Sequence, residues 1–170
     1  MRSRRSLLIS GATAAVAALV SNRAMASGPG RAAWPRPLRP GSRLRAVNPG
    51  TWMDSDRDLT PLRERCSAEG WLLEIPTEVK GQWRYFSGTD RDRRAALLEA
   101  WHDPGVEAVL SLGGGWGGAR VLEAGFRFPR RPKWSLGFSD SSSLLLAQWA
   151  AGLPGAIQGA NGGPDEQWPR

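Results

Sequence analysis

The chain alternates between short, mostly apolar runs and longer segments in which apolar residues recur every three or four positions. The short runs end at Pro, Gly or a polar turn, which is typical of buried strands, whereas the periodic segments are typical of helices. The predicted strands are residues 43–48, 71–75, 106–112 and 134–138, and the predicted helices are 58–69, 118–124, 140–150 and a segment that starts after Thr89. This alternation predicts an α/β fold with a parallel sheet that helices cover on both faces.

Capping residues locate the ends of two predicted helices. Gly70 follows the first helix at the C′ position, where glycine adopts a left-handed conformation without strain. Thr89 is a preferred N-cap residue, and Asp90 and Asp92 in the next turn suit the positive end of the helix dipole. The buried stripe of that helix is predicted to comprise Ala95, Leu98 and Trp101. Ligands of such a fold bind at the carboxyl ends of the strands.

The first 26 residues carry the three parts of an export signal in the usual order. Arg4 and Arg5 precede a weakly apolar stretch, residues 7–20, and a small-residue motif ends at Ala26. The paired arginines resemble a twin-arginine signal, so we expect cleavage after Ala26 and a periplasmic location, with a cytoplasmic location as the alternative. The apolar stretch is shorter than the roughly 20 residues that span a bilayer, which disfavours a membrane anchor. Residues 27–42, rich in Pro, Gly and Arg, are predicted to be a tether.

The net charge of +7 is distributed unevenly. Residues 1–45 carry nine arginines and no acidic residue, whereas residues 46–170 carry 14 basic and 16 acidic residues. Because the predicted domain is nearly neutral, we do not expect it to bind nucleic acid. Cys66 is the one cysteine and His102 the one histidine, which excludes an internal disulfide framework, a cysteine-based zinc site and a multi-histidine metal centre.

A run of glycines from Gly113 to Gly118, interrupted by Trp116, follows the third predicted strand. The backbone N–H groups of such a loop can approach a ligand closely and bind an anion. Gly113, Gly115 and Gly118 also match the G-x-G-x-x-G fingerprint of dinucleotide-binding folds, with Asp140 in the place of a ribose-binding acid. The location after the third strand and the bulky Trp116 disfavour a nucleotide site. A tight turn without a ligand is a further alternative.

The fourth predicted strand leads into a helix through a serine-containing turn, Gly137 to Ser141. A nucleophile elbow places a serine on a strained strand-to-helix turn, with small residues two positions before and two positions after it. Gly137 and Ser141 flank Ser139 in this way. The elbow would direct the Ser139 hydroxyl above the sheet, close to a backbone N–H that could face an oxyanion. The residues leave a second interpretation open, in which Ser139 is only the N-cap of the helix.

Four motifs, in order along the chain, resemble the LD-carboxypeptidase family, the serine peptidases of family S66. The family's leucine-x-Pro-Gly-Asp, Tyr-Phe-Ala-Gly-Thr-Asp, Arg-Gly-Gly-Tyr-Gly and Gly-Tyr-Ser-Asp motifs correspond to residues 38–42, 85–90, 113–117 and 137–140. Arg93, Leu97 and Arg120 also lie in place. Gly113 replaces the arginine of the third motif.

This resemblance implies a three-layer, mostly parallel sheet of the flavodoxin-like or class I glutamine amidotransferase-like kind, formed by residues 43–159. It implies a hydrolase that removes the terminal D-alanine from murein tetrapeptide, at the bond between an L-configured centre and a D-residue. It implies no metal and no cofactor. The residues that it assigns are Ser139 as the nucleophile, Asp140 and Gly115 as donors of the oxyanion-hole N–H groups, and Gly114, Trp116 and Gly117 as a substrate loop.

A serine nucleophile needs a base and a group that orients the base. The family takes these, a glutamate and a histidine, from a C-terminal domain. His102 precedes the third strand and should lie at the opposite end of the sheet from Ser139, and residues 160–170 do not resemble the family. We therefore expect a domain that is incomplete and inactive alone, with a C-terminal domain in trans or a second copy as candidate partners. A non-catalytic module that binds peptidoglycan peptides or a partner stays open.

Overall fold

The computed structural model describes residues 33–159, and five strands within this range form one parallel sheet. The predicted export signal and residues 160–170 lie outside the described residues. The strands are β1 (Arg43–Val47), β2 (Leu72–Glu74), β3 (Val106–Ser111), β4 (Trp134–Gly137) and β5 (Ala156–Gln158). The α-helices are α1 (Thr60–Ala68), α2 (Asp90–His102), α3 (Gly118–Glu123) and α4 (Ser142–Ala150), and two 3₁₀ helices span Thr77–Lys80 and Ser139–Ser141.

The strand order is β2-β1-β3-β4-β5, and all four pairings are parallel. This is the flavodoxin-like order, so the predicted fold class is confirmed. In this order the chain leaves β1 in one direction and β3 in the other, which opens a crevice between the carboxyl ends of these two strands. The loops after β1 and β3 border this crevice, and β4 lies directly beside β3.

Two apolar clusters cover the two faces of the sheet, as a three-layer fold requires. Because successive side chains of a strand point to opposite faces, Leu110 of β3 belongs to one cluster and Val109 to the other. Cys66 of α1 packs in the first cluster, and Trp101 of α2 and Val121 of α3 pack in the second. Burial raises the pKa of the Cys66 thiol, so this cysteine is an inert core residue.

Helix α2 begins as the sequence predicts but buries a different face. Thr89 accepts a hydrogen bond from the Asp92 N–H, and the Asp92 side chain accepts one from the Thr89 N–H, which completes a capping box. The predicted stripe is wrong at Ala95, which is exposed, and only partly right at Leu98, which is half-buried. The buried positions are Arg93, Leu97, Ala100 and Trp101. An arginine at a buried position changes the apparent phase of the apolar pattern, since arginine is seldom fully buried.

Two short elements carry no clear sequence signal. Strand β5 is three residues long, and all three are exposed at the edge of the sheet. The 3₁₀ helix Thr77–Lys80 buries only Val79. The fourth helix also starts later than expected, because Ser139–Ser141 forms a 3₁₀ turn before α4 begins at Ser142.

Part of the segment that we predicted to be a tether contacts the sheet. Trp34 lies against Trp134, with ring centroids 5.9 Å apart, and the Trp134 indole donates a hydrogen bond of 2.8 Å to the Arg36 carbonyl. Gly41 N–H donates to the Gly70 carbonyl at 2.7 Å. No helix among residues 33–159 has the length and apolar character to cross a bilayer.

Candidate active site

The turn after β4 holds Ser139 in a strained backbone conformation. Its φ of +56° lies in the left-handed region, which side chains other than glycine seldom adopt. Strain of this kind costs on the order of 1 kcal/mol or more and persists where the surrounding structure imposes it. Ser139 is exposed, and its hydroxyl makes no hydrogen bond to any of residues 33–159.

The small residues on either side of Ser139 make this turn sterically possible. A Cβ on Gly137 would lie 2.8 Å from the Cβ of Ser141 and 3.4 Å from that of Ser111 in β3. Ser141 is buried and donates a hydrogen bond of 3.2 Å to the carbonyl of Gly113. The requirement for small residues two positions before and after the serine is therefore met in three dimensions.

Ser139 is not a helix cap. The N-cap residue of the 3₁₀ turn is Phe138 and that of α4 is Ser141, and neither side chain caps its helix. Ser143 instead donates a hydrogen bond of 2.7 Å to the Asp140 carbonyl. The alternative interpretation of Ser139 as an N-cap is therefore wrong.

The glycine loop after β3 comes close to the loop after β1. Gly115 has a φ of +82°, and a Cβ there would collide with the Thr51 hydroxyl oxygen. That oxygen accepts a hydrogen bond of 3.1 Å from the Trp116 N–H, and the Thr51 N–H donates to the Gly114 carbonyl at 2.9 Å. Gly117, with a φ of +135°, leads into α3. These contacts fix the backbone of the predicted substrate loop, while the Trp116 side chain extends into solvent.

The elbow and the glycine loop contact each other directly. The Gly118 N–H donates a hydrogen bond of 2.7 Å to the Asp140 carboxylate. A Cβ on Gly118 would lie only 2.7 Å from the Ser143 hydroxyl oxygen, so the two segments approach as closely as a glycine permits. This contact also bears on the dinucleotide alternative, because the acid that would bind a ribose is already bound to the backbone of the glycine loop.

Arg93, to which the sequence pattern assigns no function, fixes this edge of the sheet. Its guanidinium is buried and donates hydrogen bonds to the carbonyls of Pro49, Gly88 and Gly117, the last two at 3.1 and 2.9 Å. It also forms an ion pair with Asp90. Burial lowers the pKa of Arg93, whereas Asp90 raises it. One side chain therefore connects three loops at the carboxyl edge.

Asp90 links Arg93 to a second arginine on the rim of the site. Its carboxylate accepts two hydrogen bonds from Arg120, at 3.1 and 2.6 Å. The Arg120 hydrogen bond, followed by the nearby positive charges, lowers the pKa of Asp90 against the opposing effect of burial. Both guanidinium groups also lie over the Phe86 ring, 4.7 Å (Arg93) and 5.3 Å (Arg120) from its centroid.

Asn48 explains the glycine at position 113. This buried amide donates hydrogen bonds to the carbonyls of Thr51 and Val79, at 3.0 and 3.1 Å, and accepts one from Gly50. A Cβ on Gly113 would collide with the Asn48 side chain. The Asn48 amide thus occupies the space that any side chain at position 113 would need.

His102 lies at the other end of the fold. It is the exposed last residue of α2, and Asp103-Pro104-Gly105 connects it to the amino end of β3. Ser139 follows the carboxyl end of the neighbouring parallel strand β4. As expected, this histidine is remote from Ser139.

The fold and the site define a class of protein, a flavodoxin-like α/β domain in which a glycine loop and a strained serine turn meet beside β3 and β4. The family model of the LD-carboxypeptidase N-terminal domain matches residues 45–159. The chain therefore belongs to the LD-carboxypeptidase family, peptidase family S66, and the resemblance seen in the motifs is confirmed.

Curated relatives agree with this assignment. The murein tetrapeptide carboxypeptidase of Pseudomonas aeruginosa is 38% identical over 120 residues, which cover 69% of this chain and 38% of that protein. A Synechocystis sp. protein that bears a provisional carboxypeptidase name is 36% identical over 121 residues, which cover 70% of this chain and 40% of that protein. The chain thus spans about two-fifths of the length of these relatives.

Solved structures share the fold. The microcin C7 self-immunity protein MccF in complex with aspartyl sulfamoyl adenosine matches with a TM-score of 0.64 and 20% identity, over 76% of this chain and 40% of that one. The muramoyltetrapeptide carboxypeptidase from Oxalobacter formigenes matches with a TM-score of 0.51 and 21% identity, over 72% and 43%. At these identities the similarity supports the fold alone.

Proposed function

We propose that this chain is the nucleophile-bearing domain of a serine carboxypeptidase that releases the terminal D-alanine from murein tetrapeptide. The observation that carries the proposal is the backbone of Ser139, whose φ of +56° belongs to a nucleophile elbow at the carboxyl end of β4. Membership of the LD-carboxypeptidase family and the similarity to a murein tetrapeptide carboxypeptidase give the substrate class.

The proposed reaction uses the elbow and the glycine loop together. The Ser139 hydroxyl oxygen attacks the carbonyl carbon of the L,D bond, and a base takes its proton. The backbone N–H groups of Asp140 and Gly115 donate to the oxyanion that forms. The amine of D-alanine leaves with a proton, and a water molecule then hydrolyses the ester on Ser139.

The base comes from outside these 170 residues in this proposal. The one histidine, His102, lies at the opposite end of the sheet, and the Asp140 carboxylate is engaged by the Gly118 N–H. A glutamate–histidine pair from a second polypeptide or domain is the simplest source, as in the family. Without it the Ser139 hydroxyl is a weak nucleophile at neutral pH.

The test is D-alanine release from murein tetrapeptide by the chain as its native cell makes it, purified with any bound partner. Ser139→Ala should abolish release and labelling by a fluorophosphonate. Ser142→Ala is the matched control, because the half-buried Ser142 hydroxyl forms no hydrogen bond with residues 33–159. Release that survives Ser139→Ala would contradict the proposed nucleophile.

A non-catalytic module that binds peptidoglycan peptides is the second candidate. The remote position of His102 favours it, because it leaves the free hydroxyl of Ser139 without a histidine base in this chain. Tetrapeptide that binds and is recovered uncleaved, with no fluorophosphonate label on Ser139, would select this candidate.

A further inference from the structure

An open cleft of about 630 Å³ lies at the crevice between β1 and β3. The glycine loop, Gly113 to Gly115, forms one wall, and residues of the loop after β1 form the other. Arg57 is the one positively charged side chain among the described residues that line it. We propose that Arg57 binds the terminal carboxylate of the peptide substrate, an inference that rests on the proposed carboxypeptidase function.

The Arg57 guanidinium has unused hydrogen-bond donors with which it can bind an anion. It is half-buried, its one side-chain hydrogen bond is a long one of 3.4 Å to the Leu112 carbonyl, and it forms no ion pair with residues 33–159. Two other arginines at this edge, Arg93 and Arg120, are committed, because Arg93 is buried among carbonyls and Arg120 forms a two-point pair with Asp90. A guanidinium with unused donors matches a carboxylate in both charge and geometry.

The position of Arg57 suits the chemistry of a carboxypeptidase. The terminal carboxylate of the substrate lies only one residue, about 3.8 Å between Cα atoms, beyond the scissile carbonyl. If the Gly115 N–H holds the oxyanion, the carboxylate lies within a few ångströms of the glycine loop, which forms one wall of this cleft. Arg57 contacts the carbonyl of Leu112, the residue directly before the glycine loop.

The loop that carries Arg57 is held in place before any ligand binds. The Lys80 ammonium donates hydrogen bonds to the carbonyls of Ser55 and Arg57, at 2.6 and 3.1 Å. The Arg57 N–H donates to the Asp54 carbonyl at 3.1 Å. Preorganisation of this kind lowers the entropic cost of binding.

Two carboxylates in the same cleft shape its selectivity. Asp54 and Asp56 line it beside Arg57, but both are exposed and bound locally, Asp54 by the Asp56 N–H and Asp56 by the Ser55 hydroxyl. They repel a simple anion, so their charges oppose the binding of any carboxylate that makes no contact other than the one with Arg57.

The experiment compares two forms of one ligand, murein tetrapeptide with a free terminal carboxylate and the same peptide with a terminal carboxamide. Binding is measured by calorimetry at low ionic strength with the Ser139→Ala variant, which prevents turnover and is purified from its native cell with any bound partner. The carboxylate form should bind about 10-fold to 100-fold more tightly, the range for loss of a charged hydrogen bond. Arg57→Gln should remove this preference, and Arg57→Lys, which keeps the charge without the fork, should retain part of it.

Arg63→Gln is the matched control, because Arg63 is an exposed arginine on α1 that lines a neighbouring cleft with Arg57. It should keep the full preference. Equal binding of the two peptides to the parent chain, or an unchanged preference in Arg57→Gln, would overturn the inference and leave the proposed function standing. Failure of both peptides to bind would overturn the proposed function and the inference with it. Equal thermal midpoints for Arg57→Gln and its parent would confirm that folding is unaffected.

Discussion

Gly137 and Ser141 lie against each other behind Ser139, where a Cβ on Gly137 would come within 2.8 Å of the Cβ of Ser141. Ser141 cannot move away easily, since it is buried and bound to the Gly113 carbonyl. The backbone of the glycine loop and the backbone of the serine turn are thus fitted to one another. The space for a methyl group is missing between Gly137 and Ser141, and the hydrogen bond of Ser141 ties this turn to the glycine loop.

Gly137→Ala should therefore destabilise the fold by about 1–3 kcal/mol, the usual cost of overpacking, and should displace the elbow. Urea denaturation measures the first effect, and loss of fluorophosphonate labelling at Ser139 measures the second. Gly88→Ala is the control, because a Cβ at Gly88 meets its nearest neighbour at an ordinary 3.4 Å. Equal stability of the two variants would contradict the close approach.

The features that the sequence predicted correctly are those with a local cause. The Thr89 capping box, the turn at Gly70 and the small residues around Ser139 each depend on a few adjacent residues, so their patterns are legible in the chain. The parallel sheet follows from the repeated alternation of strands and helices, and the edge position of the serine turn follows from the sheet.

The features that sequence reasoning missed depend on distant contacts. Arg93 serves three loops that are far apart in sequence, and its burial shifts the buried face of α2 away from Ala95. The sequence gives no sign that the Asp140 carboxylate has a hydrogen-bond partner, because that partner, the Gly118 N–H, lies 22 positions away. Strand β5 is exposed and short, so no apolar pattern marks it.

Ser139→Gly should stabilise the chain relative to Ser139→Ala. A residue with a Cβ is destabilised by roughly 1 kcal/mol in the left-handed region, whereas glycine is not. Urea denaturation should show a gain of about 1 kcal/mol for the glycine variant over the alanine variant. The same pair of substitutions at Ser142, which has a φ of −59°, should give the opposite order, because glycine is a poor helix residue. If the alanine variant were the more stable one at both positions, the backbone strain at Ser139 would be contradicted.

Arg93→Lys should destabilise the chain by about 2–4 kcal/mol even though the charge is kept. A lysine cannot reproduce the fork that reaches Pro49, Gly88 and Gly117, so buried carbonyls would lose their donors. Arg91→Lys, two positions earlier on the exposed face of α2, should be neutral within about 0.5 kcal/mol. Comparable losses for the two variants, measured by urea denaturation, would show that the buried fork contributes little.

Lys133 should make the stability of the chain rise with pH. This side chain is buried, and its ammonium donates hydrogen bonds of 3.0 and 2.5 Å to the carbonyls of Ala100, in the last turn of α2, and of Asp103, directly after α2. Burial, with a smaller contribution from Arg131, lowers its pKa from 10.5 to about 8. Between pH 8 and 10.5 the unfolded chain therefore binds more protons than the folded chain, and the free energy of unfolding increases across this window.

The chain offers a close control for this effect, because Lys80 and Lys133 are its only lysines. Unfolding by urea at pH 7.5 and pH 10 should show a rise in wild type that exceeds the rise in Lys133→Met by about 1–3 kcal/mol, since methionine keeps the buried stem and does not titrate. Lys80→Met, which removes an exposed ammonium, should follow the wild-type dependence. An identical pH dependence in wild type and Lys133→Met would contradict this prediction. It would mean that the two carbonyl partners fully replace the lost water, so that the ammonium keeps its proton as readily in the folded chain as in the unfolded one.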